Sequence, residues 1–182
     1  MNMANLTSIG FNEDHATRAI VDPALLKTAM RTVAGAVSVI TAGAGSDRTG
    51  ATVTSATALS VEPPTMIVNI NRASSSFPVI SRHRHFCVNI LAGEHHDIAN
   101  RFAGLGGIKG EARYDGAAWT TRLSGAPVLV GAVAAIDCEV EEIIERHSHG
   151  IIIGRVLDVT IGDGQSLVYH NGRYGGFSPL AG

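Results

Sequence analysis

From residue 36 onward the chain alternates apolar and polar positions, or runs through short apolar stretches, in seven places: AVSVITA, GATVTSATAL, TMIVNI, HFCVNIL, PVLVGAVAAIDCEVEEI, GIIIGRVLDVTI and SLVYH. Successive side chains of a strand point to opposite faces, so each of these patterns predicts a strand. In the longest, Ile136, Cys138 and Val140 alternate with Asp137, Glu139 and Glu141, which predicts one dry face and one wet face. Helical spacing is confined to three places. Asp22 followed by Pro23 reads as an N-cap and first helical position, and Leu25, Leu26, Met30 and Val33 follow on one stripe, with an end expected near Gly35. Shorter helices are expected from Ser76 to Arg82, opened by SSSFP, and from Gly93 to Phe102. Residues 1–20 are polar and aperiodic and read as a flexible N-terminal arm ahead of one domain over residues 21–182. Many short strands with few helices predict a mainly β fold, a barrel or sandwich in preference to a doubly wound sheet.

Composition narrows the function. A chain of 182 residues is long enough for one domain with a full core. Its 14 basic and 16 acidic residues leave a formal charge of −2, so no overall field favours nucleic acid or an anionic membrane. No apolar run approaches the roughly 20 residues of a membrane helix, and the first residues lack the basic patch and apolar stretch of a signal peptide, so a cytoplasmic protein is expected. Cys87 and Cys138 lie inside strand patterns without Cys-x-x-Cys spacing and read as reduced, buried thiols.

Three features carry candidate chemistry. The stretch TGATVTSATALSVEPP, from Thr49 to Pro64, strings hydroxyls along small residues and has no charge before Glu62. Small side chains leave room, while hydroxyls and peptide groups offer donors and acceptors to a flat polar heterocycle. A threonine-rich edge strand is the competing reading. In NINRASSSFPVI a strand bearing Asn69 and Asn71 feeds serines at a helix start, which is where a phosphate would bind, with Arg72 or Arg101 adding charge. Ordinary capping by one of those serines is the alternative. The histidines follow no zinc spacing, and no metal site is expected. His149 stands apart because it immediately precedes Gly150 and the strand IIIG, at a strand entrance that a ligand can reach. No Gly-x-Gly-x-x-Gly, Gly-Lys-Ser/Thr or Gly-x-Ser-x-Gly motif is present, which disfavours Rossmann, P-loop and α/β-hydrolase enzymes.

In their order along residues 22–178, TGATVTSATALSVEPPTMIVNI, SSSFPVI, FCVNIL, DIANRFAG, SGAPVLVGAVAAIDCEVEE, HGIIIGRVLDV and SLVYHNGRYGGF resemble the flavin reductase family. They are most similar to the reductase components of two-component flavin-dependent monooxygenases. The resemblance implies a split β-barrel with Greek-key topology that binds FMN or FAD, takes hydride from NADH or NADPH, works as a homodimer and supplies reduced flavin to a separate oxygenase. By position it implies flavin contacts at Arg48, Thr49, Gly50, Ala51, Thr52, Thr54 and Ser55, then at Asn69, Ile70 and Asn71. Ser75 and Ser76 would meet the phosphate, and Arg101 and Phe102 would close the site. The family's Gly-Asp-His motif, on the nicotinamide side, falls on His147, Ser148 and His149, where only the final histidine is kept. His149 is the implied catalytic residue, and it would share the NAD(P)H side with Ser166, Leu167, Val168, Tyr169, Arg173 and Tyr174. Two alternatives stay open: a flavoprotein that holds its flavin tightly and reduces another small molecule, and a non-catalytic barrel that binds flavin or haem.

Overall fold

In the computed structural model residues 20–180 are described, and the arm expected over residues 1–20 lies, but for Ile20, outside them. The strands are β1 (Gly35–Ala36), β2 (Ser38–Ala42), β3 (Thr49–Val53), β4 (Thr57–Val61), β5 (Pro64–Asn71), β6 (His85–Ile90), β7 (Trp119–Thr121), β8 (Pro127–Leu129), β9 (Ala134–Arg146), β10 (His149–Ile161), β11 (Val168–His170) and β12 (Arg173–Gly175). The helices are α1 (Pro23–Met30), α2 (Ser76–His83) and α3 (His96–Phe102). Among the described residues no helix is long and apolar enough to cross a membrane.

The main sheet has seven antiparallel strands in the order β3-β2-β6-β9-β10-β5-β4. Its two end strands, β3 and β4, are consecutive in the chain and separated only by Thr54, Ser55 and Ala56. Such a link spans at most about 14 Å, so the sheet must curl until its ends meet. The ends do not pair, because β4 bonds only to β5 and β3 only to β2. The result is a barrel with an open seam, a mainly β fold of the expected kind.

Two large clusters, and a small one around Cys87, Ala126, Val128 and Ala135, fill the structure. One lies inside the curl around Ile40, Val68, Ile70, Ile80, Phe86 and Ile152; the other lies under α3 around Val39, Leu91, Ile98, Phe102 and Tyr114. Strand glycines make room for rings in both. A Cβ on Gly154 would sit 2.5 Å from Phe86 Cε1, and one on Gly50 would sit 2.8 Å from Phe102 Cε1. The second sheet, β1-β11-β12, carries a two-residue hairpin turn at Asn171 and Gly172. Both turn residues have positive φ, 48° and 84°, the Asn-Gly combination suited to tight hairpins.

Three expectations are corrected. α1 starts as read, with Asp22 Oδ1 accepting from the Ala24 amide at 2.9 Å, but it stops at Met30 because Gly35 and Ala36 pair with β11. The apolar run GATVTSATAL is two strands, β3 and β4, since the chain crosses the seam there. Asp137 is buried rather than wet, because its carboxylate accepts from the amide and hydroxyl of Ser124. Cys87 and Cys138 are free and buried, and burial pushes the Cys138 thiol up to about 12.

The Gly154→Ala variant is expected to lose about 1–3 kcal/mol of stability to overpacking against Phe86. Combining it with Phe86→Leu should recover part of that loss in urea denaturation; an unshifted midpoint in the single variant would contradict the close seating of ring on strand.

Candidate active site

The seam opens because β4 leaves β5 early. β4 pairs with β5 only as far as Thr57 opposite Ile67, so Val68 to Asn71 of β5 face β3 across a gap. That gap is a cleft of about 320 Å³ lined by Thr52, Thr54, Ser55, Asn69, Asn71 and His149, among others. Ser55 Oγ donates to the Asn69 carbonyl at 3.3 Å, and Thr52 Oγ1 donates to the Ala99 carbonyl at 2.6 Å, which fixes β3 against α3. A cleft between two strand edges is rich in peptide donors and acceptors, and its small side chains keep it open.

At one end of the cleft lies the start of α2. Its N-cap, Ser75, makes no side-chain capping bond. Ser76 is fully buried, yet neither its hydroxyl nor that of Ser74 has a hydrogen-bond partner among the described residues. Leaving such a group unpaired costs about 1–3 kcal/mol, so ordinary capping does not explain these serines. Arg113 Nη1 donates to the Gly50 carbonyl at 2.7 Å and lies 3.5 Å from Ser75 Oγ, while its Nε donates to the Ile108 carbonyl at 3.1 Å. Ser75 Oγ is in turn 3.4 Å from Thr49 Oγ1. Arg48 lies 4.5 Å over the Tyr114 ring and leaves its buried Nε without a partner. Burial pushes the Tyr114 phenol well up, so it stays a neutral donor to the Thr49 carbonyl, 2.7 Å away. Orphaned hydroxyls at a helix start, beside the Arg113 guanidinium, fit a phosphate.

On the far side of β3 lies a second cavity of about 380 Å³, and Thr52, Val53 and Thr54 line both. Tyr169 and Tyr174 close it from the β11–β12 hairpin, their ring centroids 5.4 Å apart. Burial raises the Tyr174 hydroxyl above its ordinary value, and Tyr169 adds to the shift. His149 enters the first cleft from the start of β10, opposite Asn71, with Nδ1 2.9 Å from Ser148 Oγ. The preceding two-residue turn has positive φ only at its first position, His147 at 49°, where glycine is favoured. That conformation is a physical reason for a glycine in the family motif at this position.

The structure gathers Ala51, Thr52, Thr54, Ser55, Asn69, Ile70, Asn71 and His149 around the first cleft. Thr49, Gly50 and Ser75 meet beside Arg113 at the α2 end of the cleft, with Ser76 next in the chain, whereas Arg48 pairs with Glu111 at 3.1 Å and lines a different pocket. Val168 and Arg173 line a further recess beyond the hairpin. Four more expected residues are placed elsewhere. Phe102 is core, packed edge-on to Tyr114 at 5.0 Å, and Arg101 faces Gly116, because Ile98, Ala99 and Phe102 form the buried stripe of α3. Leu167 is buried with both backbone groups bonded, to Val37 and Leu91, and Ser166 bridges to Ala92. Ser74, Val53, Asn100 and Arg113 were not anticipated. Arg113 lies in an aperiodic segment, 63 residues from the Gly50 carbonyl it meets, a contact that no local spacing encodes.

Comparison with known proteins identifies the family. The family model for the flavin reductase like domain matches residues 30–178. The FMN reductase (NADH) RutF of Stutzerimonas stutzeri is 35% identical over 153 residues, covering 84% of this chain and 87% of its own. The 4-hydroxyphenylacetate 3-monooxygenase reductase component of Pseudomonas aeruginosa is 34% identical over 144 residues, covering 79% and 85%. Among solved structures, the NADH:FAD oxidoreductase of Streptomyces globisporus in complex with NAD and FAD fragments superposes with a TM-score of 0.80 at 26% identity, covering 91% of this chain and 100% of that one. Matched across the strands that form the seam and the hairpin that borders it, the chain belongs to the flavin reductase like family.

Proposed function

We propose that the protein is an NAD(P)H:flavin oxidoreductase that reduces FMN or FAD and supplies the reduced flavin to a separate flavin-dependent oxygenase. The observation that carries this reading is the shared wall: Thr52, Val53 and Thr54 border both the seam cleft and the tyrosine-lined cavity. Hydride transfer requires the two rings in direct contact, with reacting atoms about 3–3.5 Å apart, so the nicotinamide would reach the open face of the seam-bound flavin past this shared border, on the side of His149. The flavin supplies the electron-accepting chemistry once bound. Thr54, Ser55, Asn69 and Asn71 would orient it through side-chain and peptide groups, and Ser74, Ser75, Ser76 and Arg113 would hold its phosphate. Tyr169 and Tyr174 would shield the nicotinamide side from water. His149 would position the donor without acting as an obligatory proton donor, since it borders the cleft from an exposed turn.

The cleft itself, away from its phosphate end, carries no acidic or basic side chain besides His149, which suits a flavin that must leave again. A homodimer belongs to the same reading: the apolar stripe of α1, with Leu25 64%, Leu26 61% and Met30 57% exposed, is left uncovered by the described residues and suits a second copy. So does a cytoplasmic setting, in which both cysteines stay reduced.

NADH oxidation compared side by side with riboflavin, FMN and FAD tests the function: turnover of added flavin supports it, and its absence with retained flavin favours the tightly bound alternative. The His149→Ala variant is expected to lower kcat/KM for NADH about tenfold, less than the loss of a general acid gives, and to keep the pH profile of kcat unchanged. Wild-type kinetics would remove the positioning role. Ser76→Ala should leave the flavin-free protein as stable or about 1 kcal/mol more stable, while calorimetric titration shows FMN binding weakened about tenfold. A structural cap would give the reverse pattern, lower stability and unchanged FMN affinity.

A further inference from the structure

Arg72 follows Asn71 at the end of β5 and does not line the cleft, although it stands beside residues that do. Its guanidinium serves the β9–β10 turn rather than a phosphate at the start of α2. Nη2 pairs with the Glu145 carboxylate at 2.5 Å, Nη1 donates to the His147 carbonyl at 3.1 Å, and the Arg72 backbone amide donates to the Ser148 carbonyl at 2.9 Å. Glu145, His147 and Ser148, which lead into His149, are thus all held by one residue of the neighbouring strand.

The turn needs holding. His147 has a φ of 49°, in the left-handed region that glycine adopts freely and histidine less readily. With no glycine there, the conformation is imposed from outside, and Arg72 is the side chain that reaches over the turn. Past His149 the chain is fixed as well: a Cβ on Gly150 would collide with the Phe77 ring, so α2 backs the strand closely. The imidazole itself is held by Ser148, whose Oγ lies 2.9 Å from Nδ1. A hydrogen bond at one ring nitrogen sets which form the other nitrogen presents. The side chains of Arg72 and Glu145 are 45% and 50% exposed, so their pairing adds little to stability, and its consequence is geometric.

We propose that Arg72 is a positioning residue for the hydride donor: it fixes the turn, Ser148 passes that constraint to the ring, and His149 is held at the mouth of the cleft. The proposal rests on the reductase reading. Because Arg72 acts through His149, its loss misplaces the donor and costs rate, while the affinity for flavin is unaffected.

The test is a double-variant cycle. Flavin reduction by NADH is measured in wild type, Arg72→Ala, His149→Ala and the combination. Arg72→Ala is expected to lower kcat/KM for NADH about fivefold with His149 in place and less than about twofold when His149 is already alanine, because residues that act through one another are not additive. FMN affinity, read by titration calorimetry, is expected to stay within about twofold of wild type. Adding His147→Gly to Arg72→Ala should restore most of the lost rate, since glycine holds the turn without the clamp. A readout without turnover is the nitrogen NMR spectrum of the flavin-free protein, where Arg72→Ala and Ser148→Ala should move the His149 Nδ1 resonance in the same direction. Full additivity in the cycle, FMN binding weakened by Arg72→Ala as much as kcat/KM, or an Nδ1 resonance that Arg72→Ala leaves in place would each overturn the proposal while the reductase reading stands. If wild type oxidises no NADH in the presence of flavin, the reductase reading fails and the proposal with it.

Discussion

The structure depends on a short tether: Thr54, Ser55 and Ala56 are all that separate the two end strands of a seven-stranded sheet. A link of that length obliges the sheet to curl, and the early divergence of β4 from β5 prevents the curl from closing by hydrogen bonds. The core follows from the same constraint. Strands pressed into a tight curve leave little depth between their inner faces, and glycines at 50 and 154 admit the rings of Phe102 and Phe86 where a Cβ would collide with them.

The seam is where structure becomes chemistry. Strand edges are ordinarily covered or paired; here the edge of β5 from Val68 to Asn71 and the outer edge of β3 flank a cleft lined with hydroxyls and amides. β3 is common to both spaces: Thr52, Val53 and Thr54 border the seam cleft and the cavity beneath the hairpin. The division of labour is physical. The α2 end gathers Arg113 and unpartnered serine hydroxyls, the cleft offers neutral hydroxyl and amide groups, and the tyrosine pair of the hairpin covers the neighbouring cavity.

Much of this was legible in the chain. Period-two alternation marked the long strands, the Asp22-Pro23 cap marked α1, and the run of hydroxyls on small residues from Thr49 marked a strand that touches something other than core. The serine triplet marked the start of α2, where the hydroxyls of Ser74 and Ser76 have no partner among the described residues. What local pattern could not supply was tertiary. Asp137 sits in an alternating strand as if solvated, yet Ser124 from a distant turn buries it. Arg101 and Phe102 are neighbours in sequence but lie on different faces of α3, so a motif that names both cannot put both in one cleft. Arg113 reaches Gly50 and Ser75 from an irregular segment, and α1 shows an amphipathic stripe that the other described residues leave uncovered.

The central claim is that the flavin ring lies in the open seam between β3 and β5. A crystal of the protein soaked with FMN or FAD tests it most directly. The account predicts the tricyclic ring along Thr52 to Ser55 and Asn69 to Asn71, its phosphate at Ser75 and Ser76. A seam packed shut by neighbouring side chains, with the ring bound elsewhere, would contradict it.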